Sequence, residues 1–490
     1  MYFRLKTLLK VIGFLLAVTG AAMYPAMLCA LWYDLPVLAR AFAFTGTASL
    51  IIGLMLYRLL PPSGKGLRAR DGYLAVTLGW LLCALLGAIP FFVSGEVSGF
   101  TSALFESLAG YTTTGATVTP HRFSMPLLLW KATIHWLGGM GILVFIIAVL
   151  PAMGIGGQRI ASAETPGAGL SRMSPRVQEM TKYLYTIYLW MTLAEFFLLW
   201  IGSDMNGYEA AVNTLGSISS AGLFLHPDGI SYYHSLFVEL VISCFSILTS
   251  INFLVYIYIL RRNFETLRDN IEVRAYLIVI GAATLVVTAS LWLSGTFPTV
   301  SSALRHGFFQ VVSFASTSGF SIDDYSGWPA LCQAVFFLLM FVGGCSGSTA
   351  GSLKVIRVLI VFRIIARGFY KRIHPRSLRA IKLGSTSVPA PMVTAVTSFT
   401  LIYGVTFFIG SLILSLQGLD LETTMSTAIS MLSNTGIALG AIGSSGCFAV
   451  FSAPLQLVMC FMMLIGRLEL ITVFLLFAPS FWNPDRVQTR

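Results

Sequence analysis

Apolar residues are grouped along this chain in long blocks, without the two-residue alternation of half-buried strands or the narrow stripe of soluble helices. Ten blocks are long enough for a helix to cross a bilayer, which takes about 20 residues. They lie at roughly 8–33, 41–60, 72–93, 132–152, 183–202, 235–260, 273–294, 331–367, 391–417 and 453–479. Val241–Leu260 contains no charge, and Leu455–Phe477 is broken only by Arg467 and Glu469. The pattern predicts an all-α polytopic membrane protein with ten transmembrane helices. The eighth block is too long for one simple crossing. The first block follows basic residues, as a signal sequence would. Its apolar run continues to Leu31 without a small-residue cleavage site, so a retained first span is expected.

Four loops between these blocks carry moderately apolar stretches too short to cross. Aligned on one glycine, they read SALFESLAGYTTTGATV (102–118), EAAVNTLGSISSAGLFL (209–225), HGFFQVVSFASTSGFSI (306–322) and TTMSTAISMLSNTGIAL (423–439). About ten residues of helical pattern precede each glycine, half the thickness of a membrane. A polar residue stands nine positions upstream: Glu106, Asn213, Gln310 and Thr427. The glycines are Gly115, Gly222, Gly319 and Gly436. Small, hydroxyl-rich residues precede them: Thr113-Thr114, Ser220-Ala221, Thr317-Ser318 and Asn434-Thr435. Glycine, serine and threonine are common wherever membrane helices pack closely, so one such loop alone means little. Four in register, all on one side, indicate internal repetition. The expected division is an N-terminal helix pair (1–71) and four repeats at 72–182, 183–272, 273–385 and 386–490. Each repeat is a span, a pore loop and a span, arranged around a single pore.

Non-helical backbone at membrane depth is tolerated only where protein or a watery path surrounds it. Four such loops around one axis would aim carbonyls inward to replace an ion's hydration shell. The hydroxyls of Thr113, Ser220 and Thr317, with the Asn434 amide, would add a further polar ring. The half-helices would direct their negative C-terminal ends at the axis and favour a cation.

Composition agrees. The 490 residues are 56% hydrophobic and 10% charged, which excludes a soluble domain. The net charge of +11 would suggest nucleic acid in a soluble protein, but its placement gives another reason. With a cytoplasmic N-terminus, the inside loops hold Lys65, Arg68, Arg70, Arg159, Arg172, Arg176, Lys182, Arg261, Arg262, Arg268, Arg274 and the run from Arg363 to Lys382. Outside stand Arg40, Arg122, Lys131 and Arg305. This bias places both termini in the cytoplasm. The seven cysteines sit mostly in apolar runs, without metal-ligand spacing, and are read as small buried hydrophobes.

The segments TTTGATV (112–118), WLGGMGILV (136–144), GGCSGSTAGSLKVIRV (343–358) and IGRLELIT (465–472) resemble the Trk/Ktr/HKT superfamily of potassium transporters, specifically its TrkH/TrkG branch. The resemblance covers essentially the whole chain. The blocks at 8–33 and 41–60 match the extra N-terminal pair of that branch. It implies K⁺ uptake, with Rb⁺ accepted, across the cell inner membrane through a single-chain four-repeat filter. The filter residues would be Thr113, Thr114, Gly115, Ser220, Ala221, Gly222, Thr317, Ser318, Gly319, Asn434, Thr435 and Gly436. In plant relatives a serine at the first filter glycine accompanies sodium preference, so Gly115 points to potassium. The second and fourth loops depart mildly from the pattern. The resemblance further implies a homodimer and a cytoplasmic TrkA-like ring of nucleotide-binding subunits. This chain has no nucleotide motif of its own, since Gly138, Gly139 and Gly141 fall inside an apolar block, and no organic cofactor is expected.

The eighth block contains Gly343, Gly344, Gly347 and Gly351, each costing a helix about 1 kcal/mol relative to alanine. Two readings stand: a kink that fits a neighbouring helix, or the flexible loop beneath the filter that the resemblance implies as a gate. Arg467 lies deep in the last block, where a lone guanidinium costs at least ~2.5–3.5 kcal/mol. Either it bridges to another span, or, as the resemblance implies, its charge faces the pore. Lys354 shares that role or anchors the interface. The segment Arg357–Lys382 is a docking surface or ordinary inside charge. Glu195 has no evident role. Two rival classes are a secondary transporter with inverted repeats, though these four loops all enter from one side, and a membrane enzyme, though no catalytic constellation is found.

Overall fold

A computed structural model describes residues 5–60, 69–152, 177–226, 228–263, 268, 270–377, 380–384 and 386–482. Lys65, Arg68, Arg159, Arg172, Arg176 and Arg379 from the charge pattern lie outside the described residues. The chain is mostly helical. Among the described residues, six helices are long and apolar enough to cross a membrane, or eight if two bent pairs each count as one span.

Two helices, α1 (Leu5–Ala22) and α2 (Tyr24–Trp32), run on as one apolar stretch against α3 (Pro36–Leu59). After them, one order of elements recurs. It begins with α4 (Ala69–Ser94), the short α5 (Phe100–Tyr111) and α6 (Met125–Ala152). Next come α7 (Val177–Gly202), the short α8 (Gly207–Ile218), α9 (Leu236–Thr249) and α10 (Phe253–Leu260). The third group is α11 (Ile271–Leu293), the short α12 (Val300–Ala315), α13 (Ala330–Val342) and α14 (Val355–Ile373). The fourth is α15 (Ala390–Leu414), the short α16 (Leu421–Ser433), α17 (Ala453–Arg467) and α18 (Leu470–Phe477). A two-stranded hairpin, Lys382–Leu383 against Thr386–Ser387, links the last two groups.

The short helices start where local chemistry tells them to. Asn206 caps α8 in a reciprocal capping box with Glu209; Thr299 caps α12 and Asp420 caps α16. All four short helices bury most of their residues. Large apolar side chains such as Trp32, Phe44, Ile201, Leu293 and Leu416 project outward instead, as they do where lipid is the solvent.

Two expected straight spans are broken. The block at 235–260 bends by 92° at Ser250–Asn252, and the block at 453–479 bends by 115° between Arg467 and Leu470. Hydropathy hides both bends because the flanking residues remain apolar. Asn252 accepts the Leu254 amide at 2.9 Å and so starts a new helix, while Glu469 takes a positive φ of 59°. The eighth block is broken as its glycines predict, by an extended segment between Val342 and Val355. Three of the four closing helices therefore break, while α6 continues unbroken from Met125 to Ala152.

Candidate functional site

The four short helices end in the same way. After each, one residue adopts a left-handed backbone: Thr113, Ser220, Thr317 and Asn434, with φ of 53°, 56°, 56° and 57°. The next amide then reaches back five residues, Thr114 to Ala109 (2.8 Å), Ala221 to Gly216 (2.9 Å), Ser318 to Ser313 (3.0 Å) and Thr435 to Ser430 (3.0 Å). This is the Schellman termination, which glycine normally fills. Non-glycine residues pay strain there, most of all β-branched threonine. Three of them use their side chains in return. Ser220 Oγ lies 2.8 Å from Thr349 Oγ1, Thr317 Oγ1 accepts the Gly351 amide at 2.9 Å, and the Asn434 amide donates to Thr114 Oγ1 at 3.0 Å and to the Met463 carbonyl at 2.9 Å. The anticipated polar ring is thus largely spent on the neighbouring chain.

Beyond each turn lies the aligned glycine, and the four segments meet in sequence order. A Cβ on Gly115 would collide with the Gly222 carbonyl, and one on Gly222 would lie 2.5 Å from that of Gly319. One on Gly319 would strike the Thr435 carbonyl, and one on Gly436 the Thr114 carbonyl. The contacts close a ring through all four loops. No side chain fits at these positions, so backbone alone lines the approach. The second loop departs in one respect: Gly115, Gly319 and Gly436 have φ of 77°, 71° and 81°, whereas Gly222 does not share this conformation.

Hydrogen bonds brace the ring from outside. Thr117 pairs with the fourth loop through Gly446 (3.1 Å) and Phe448 (2.6 Å), and Ile230 donates to the Ser321 carbonyl at 3.1 Å. The Tyr325 hydroxyl donates toward the carbonyls of Ala438 and Gly443. Behind the first loop, Glu106 accepts the Val118 amide and Thr117 hydroxyl through Oε1, both at 2.7 Å. Its Oε2 meets Lys131 Nζ at 2.6 Å, with both side chains buried. Lys131, counted in the sequence among the outside charges, is the partner of a buried carboxylate. Gln310 and Thr427, the counterparts of Glu106, have no hydrogen-bond partner for their side chains among the described residues, and Asn213 bonds the Glu209 carbonyl and the Tyr233 hydroxyl. At the rim, burial and nearby Arg122 lower the His226 pKa, against the pull of Glu209, which lies 3.5 Å away. Asp323 is held below the usual carboxylate range by its hydrogen bond to His306.

Directly beneath the ring runs the segment between α13 and α14. A Cβ on Gly351 would overlap the Ser433 carbonyl, so this segment touches the backbone that ends the fourth short helix. It is tied on several sides. The Cys345 amide donates to Ser250 at 2.8 Å, the Thr349 amide to Thr249 at 3.2 Å, and Phe253 donates to the Gly347 carbonyl at 3.1 Å. The break in one closing helix thus holds the break in the next. Ser352 Oγ donates to Met340 at 2.6 Å, and Lys354 Nζ to the Ala350 carbonyl within the segment.

Arg467 is 2% exposed and pairs with no carboxylate among the described residues. Its guanidinium donates to the Thr349 carbonyl at 2.6 Å and the Gly138 carbonyl at 3.1 Å. The interspan salt bridge left open by the sequence is thus replaced by two backbone carbonyls. Glu469 pairs instead with Arg357 at 2.7 Å, at the start of α14. Gly343, Gly344, Gly347, Gly351, Lys354 and Arg467 therefore do gather in one layer. All seven cysteines are free, and the described residues contain no cluster of metal-binding side chains. Glu195 is fully buried in α7, with the Ser217 hydroxyl beside its carboxyl group. Sequence reasoning missed Glu272, Thr349 and Tyr325, which occur once each and so give no repeat signal.

A family profile described as TrkH, cation transport protein, matches residues 39–484. The chain belongs to the TrkH family. It is similar to the Trk system potassium uptake protein TrkH of Halomonas elongata, with 34% identity covering 98% of this chain and 99% of that one. The protein of the same description in Escherichia coli is 32% identical, covering 99% of this chain and all of that one. The crystal structure of the potassium transporter TrkH from Vibrio parahaemolyticus matches with a TM-score of 0.88 and 29% identity, covering 98% of this chain and 100% of that one. As a TrkH-family member the chain is a multi-pass membrane transport protein and not an enzyme.

Proposed function

We propose that this chain is the pore-forming subunit of a potassium uptake system. The observation that carries the reading is the closed ring of four backbone segments through Gly115, Gly222, Gly319 and Gly436. Carbonyls from Thr113, Thr114, Ser220, Ala221, Thr317, Ser318, Asn434 and Thr435, with those of the glycines, would replace the hydration shell of K⁺. K⁺ is the cargo, Rb⁺ would follow it, and no organic cofactor is required. The relatives' names, which specify potassium uptake, support the choice of ion.

In this reading the chain has ten spans, two N-terminal and eight in four repeats divided at 72, 183, 273 and 386. The bent pairs at Ser250 and Leu468 and the split eighth block each count as one crossing. Both termini face the cytoplasm of the inner membrane. The segment Gly343–Lys354 is the gate: it lies against the inner end of the ring and is held by hydrogen bonds that a small displacement would break. Arg467 and Lys354 add positive charge beneath the filter and oppose cation passage. Regulation comes from outside, through a homodimer and a TrkA-like nucleotide-binding ring docked on the basic stretch Arg357–Lys382. The exposed residues Lys371, Arg372 and Arg376 are suited to such a contact.

Tracer flux into proteoliposomes holding this chain alone tests the reading, with K⁺, Rb⁺ and Na⁺ gradients compared. Uptake of K⁺ close to that of Rb⁺ and well above Na⁺ is expected. Equal rates for all three ions through folded protein would reject a potassium filter.

A further inference from the structure

Most ties on the gate segment run to backbone groups of neighbouring loops. One is a charged side chain from a different helix. Glu272 stands in the first turn of α11, 5% exposed, and its Oε1 accepts the Ser346 amide at 2.5 Å. The Ile356 amide, at the start of α14, also points at this carboxylate. Glu272 therefore grips the segment near both ends: at Ser346 before the glycine turn, and at the helix that follows. Its own helix is fixed locally, because Asn270 caps α11 by accepting the amides of Glu272 and Val273 at 3.1 and 3.2 Å. The charges facing it are Lys354 and Arg357, with Arg467 and Glu469 in the same layer.

We propose that Glu272 is a positioning residue that holds the gate segment in its closed place. The inference rests on the proposed function for its consequence on flux, but not for its consequence on the segment itself. A carboxylate suits the task for two reasons. Its hydrogen bond to an amide is charge-assisted, and it sits at the positive end of α14. It also offsets the cations beneath the ring, which would otherwise lie together in a dry layer.

The chain supplies its own reporter. Cys345 precedes Ser346, is fully buried, and donates its amide to Ser250. Release of the segment would expose this thiol. The experiment measures the rate at which a charged thiol reagent modifies Cys345 in the full-length purified protein, read by mass spectrometry of the peptide, beside Rb⁺ flux. For Glu272→Gln the modification rate should rise about five-fold, the factor for exchanging a charge-assisted hydrogen bond for a neutral one. Basal flux should rise with it, and the K⁺ to Na⁺ ratio should hold. Glu469→Gln removes the same charge from the same layer and frees Arg357 without touching Ser346, so Cys345 modification should rise less than for Glu272→Gln. If Glu272→Gln is not monodisperse, Glu272→Asp gives the same readout, since it keeps the charge but retracts it by one methylene. Unchanged Cys345 modification in a folded variant overturns the inference, as does an equal rise in Glu469→Gln. Raised modification without raised flux upholds the grip of Glu272 and rejects the segment as the gate.

Discussion

The ring and the layer beneath it are built on opposite principles. The ring is made four times over from backbone: four Schellman turns and four glycines in contact. The layer beneath is made once, from side chains of unequal kind: Glu272, Thr349, Lys354, Arg357, Arg467 and Glu469. A ring of repeated backbone contacts leaves no room for change, because each glycine is the wall of its neighbour. A layer of single hydrogen bonds can be undone one at a time. That contrast suits a fixed selective element above a movable obstruction. Thr317 and Ser220 stand where the two meet, since each turns the filter loop and also binds the segment below.

The comparison is broken most severely at the ring. Gly436→Ala places a methyl group on the Thr114 carbonyl, and Rb⁺ flux in proteoliposomes should fall roughly a hundredfold or more, since backbone cannot step aside. A variant with ordinary flux would mean that the ring is not the path. Behind the ring, Lys131→Met leaves the Glu106 carboxylate buried without a counter-charge. It should cost about 3–5 kcal/mol, seen as a lowered thermal midpoint in detergent. Adding Glu106→Gln should recover much of that loss, and failure to do so would show that the pair is not the unit.

Changes in the lower layer should act in the other direction. Arg467→Ala removes both a charge and the bond to Thr349, and should raise flux about tenfold at unchanged ion ratios. Arg467→Lys sharpens the point. Flux that stays low identifies the charge as the barrier, whereas flux that rises identifies the guanidinium's hydrogen bonds. The smallest effect is expected at the junction. Thr317→Val keeps the shape but loses the acceptor for Gly351, so flux should rise about two- to five-fold. A change in the K⁺ to Na⁺ ratio instead would place Thr317 with the filter alone.

Legibility followed the same division. The short helices and the ring glycines could be located because the same pattern recurs four times at fixed offsets from one glycine. Thr113, Ser220, Thr317 and Asn434 were picked out as a polar ring, yet their left-handed turns and downward bonds were not foreseen. Hydropathy could not find the bends at Ser250 and Leu468, because an apolar residue reads alike in a straight helix and at a corner. Lys131 read as an outside charge, since nothing near it in sequence announces Glu106, 25 positions away.

The amino-acid sequence by itself therefore determined the membrane class, the order of apolar blocks, the four matched loops and the glycine break in the eighth block. Each of these is a local or periodic property, set by transfer of side chains into lipid and by what glycine does to a helix. Only the tertiary structure decided which carbonyl each glycine meets, that Arg467 binds backbone and Glu469 binds Arg357, and that Glu272 reaches Ser346. Those contacts join residues up to hundreds of positions apart. They depend on how four units close around one axis, and no local pattern encodes that.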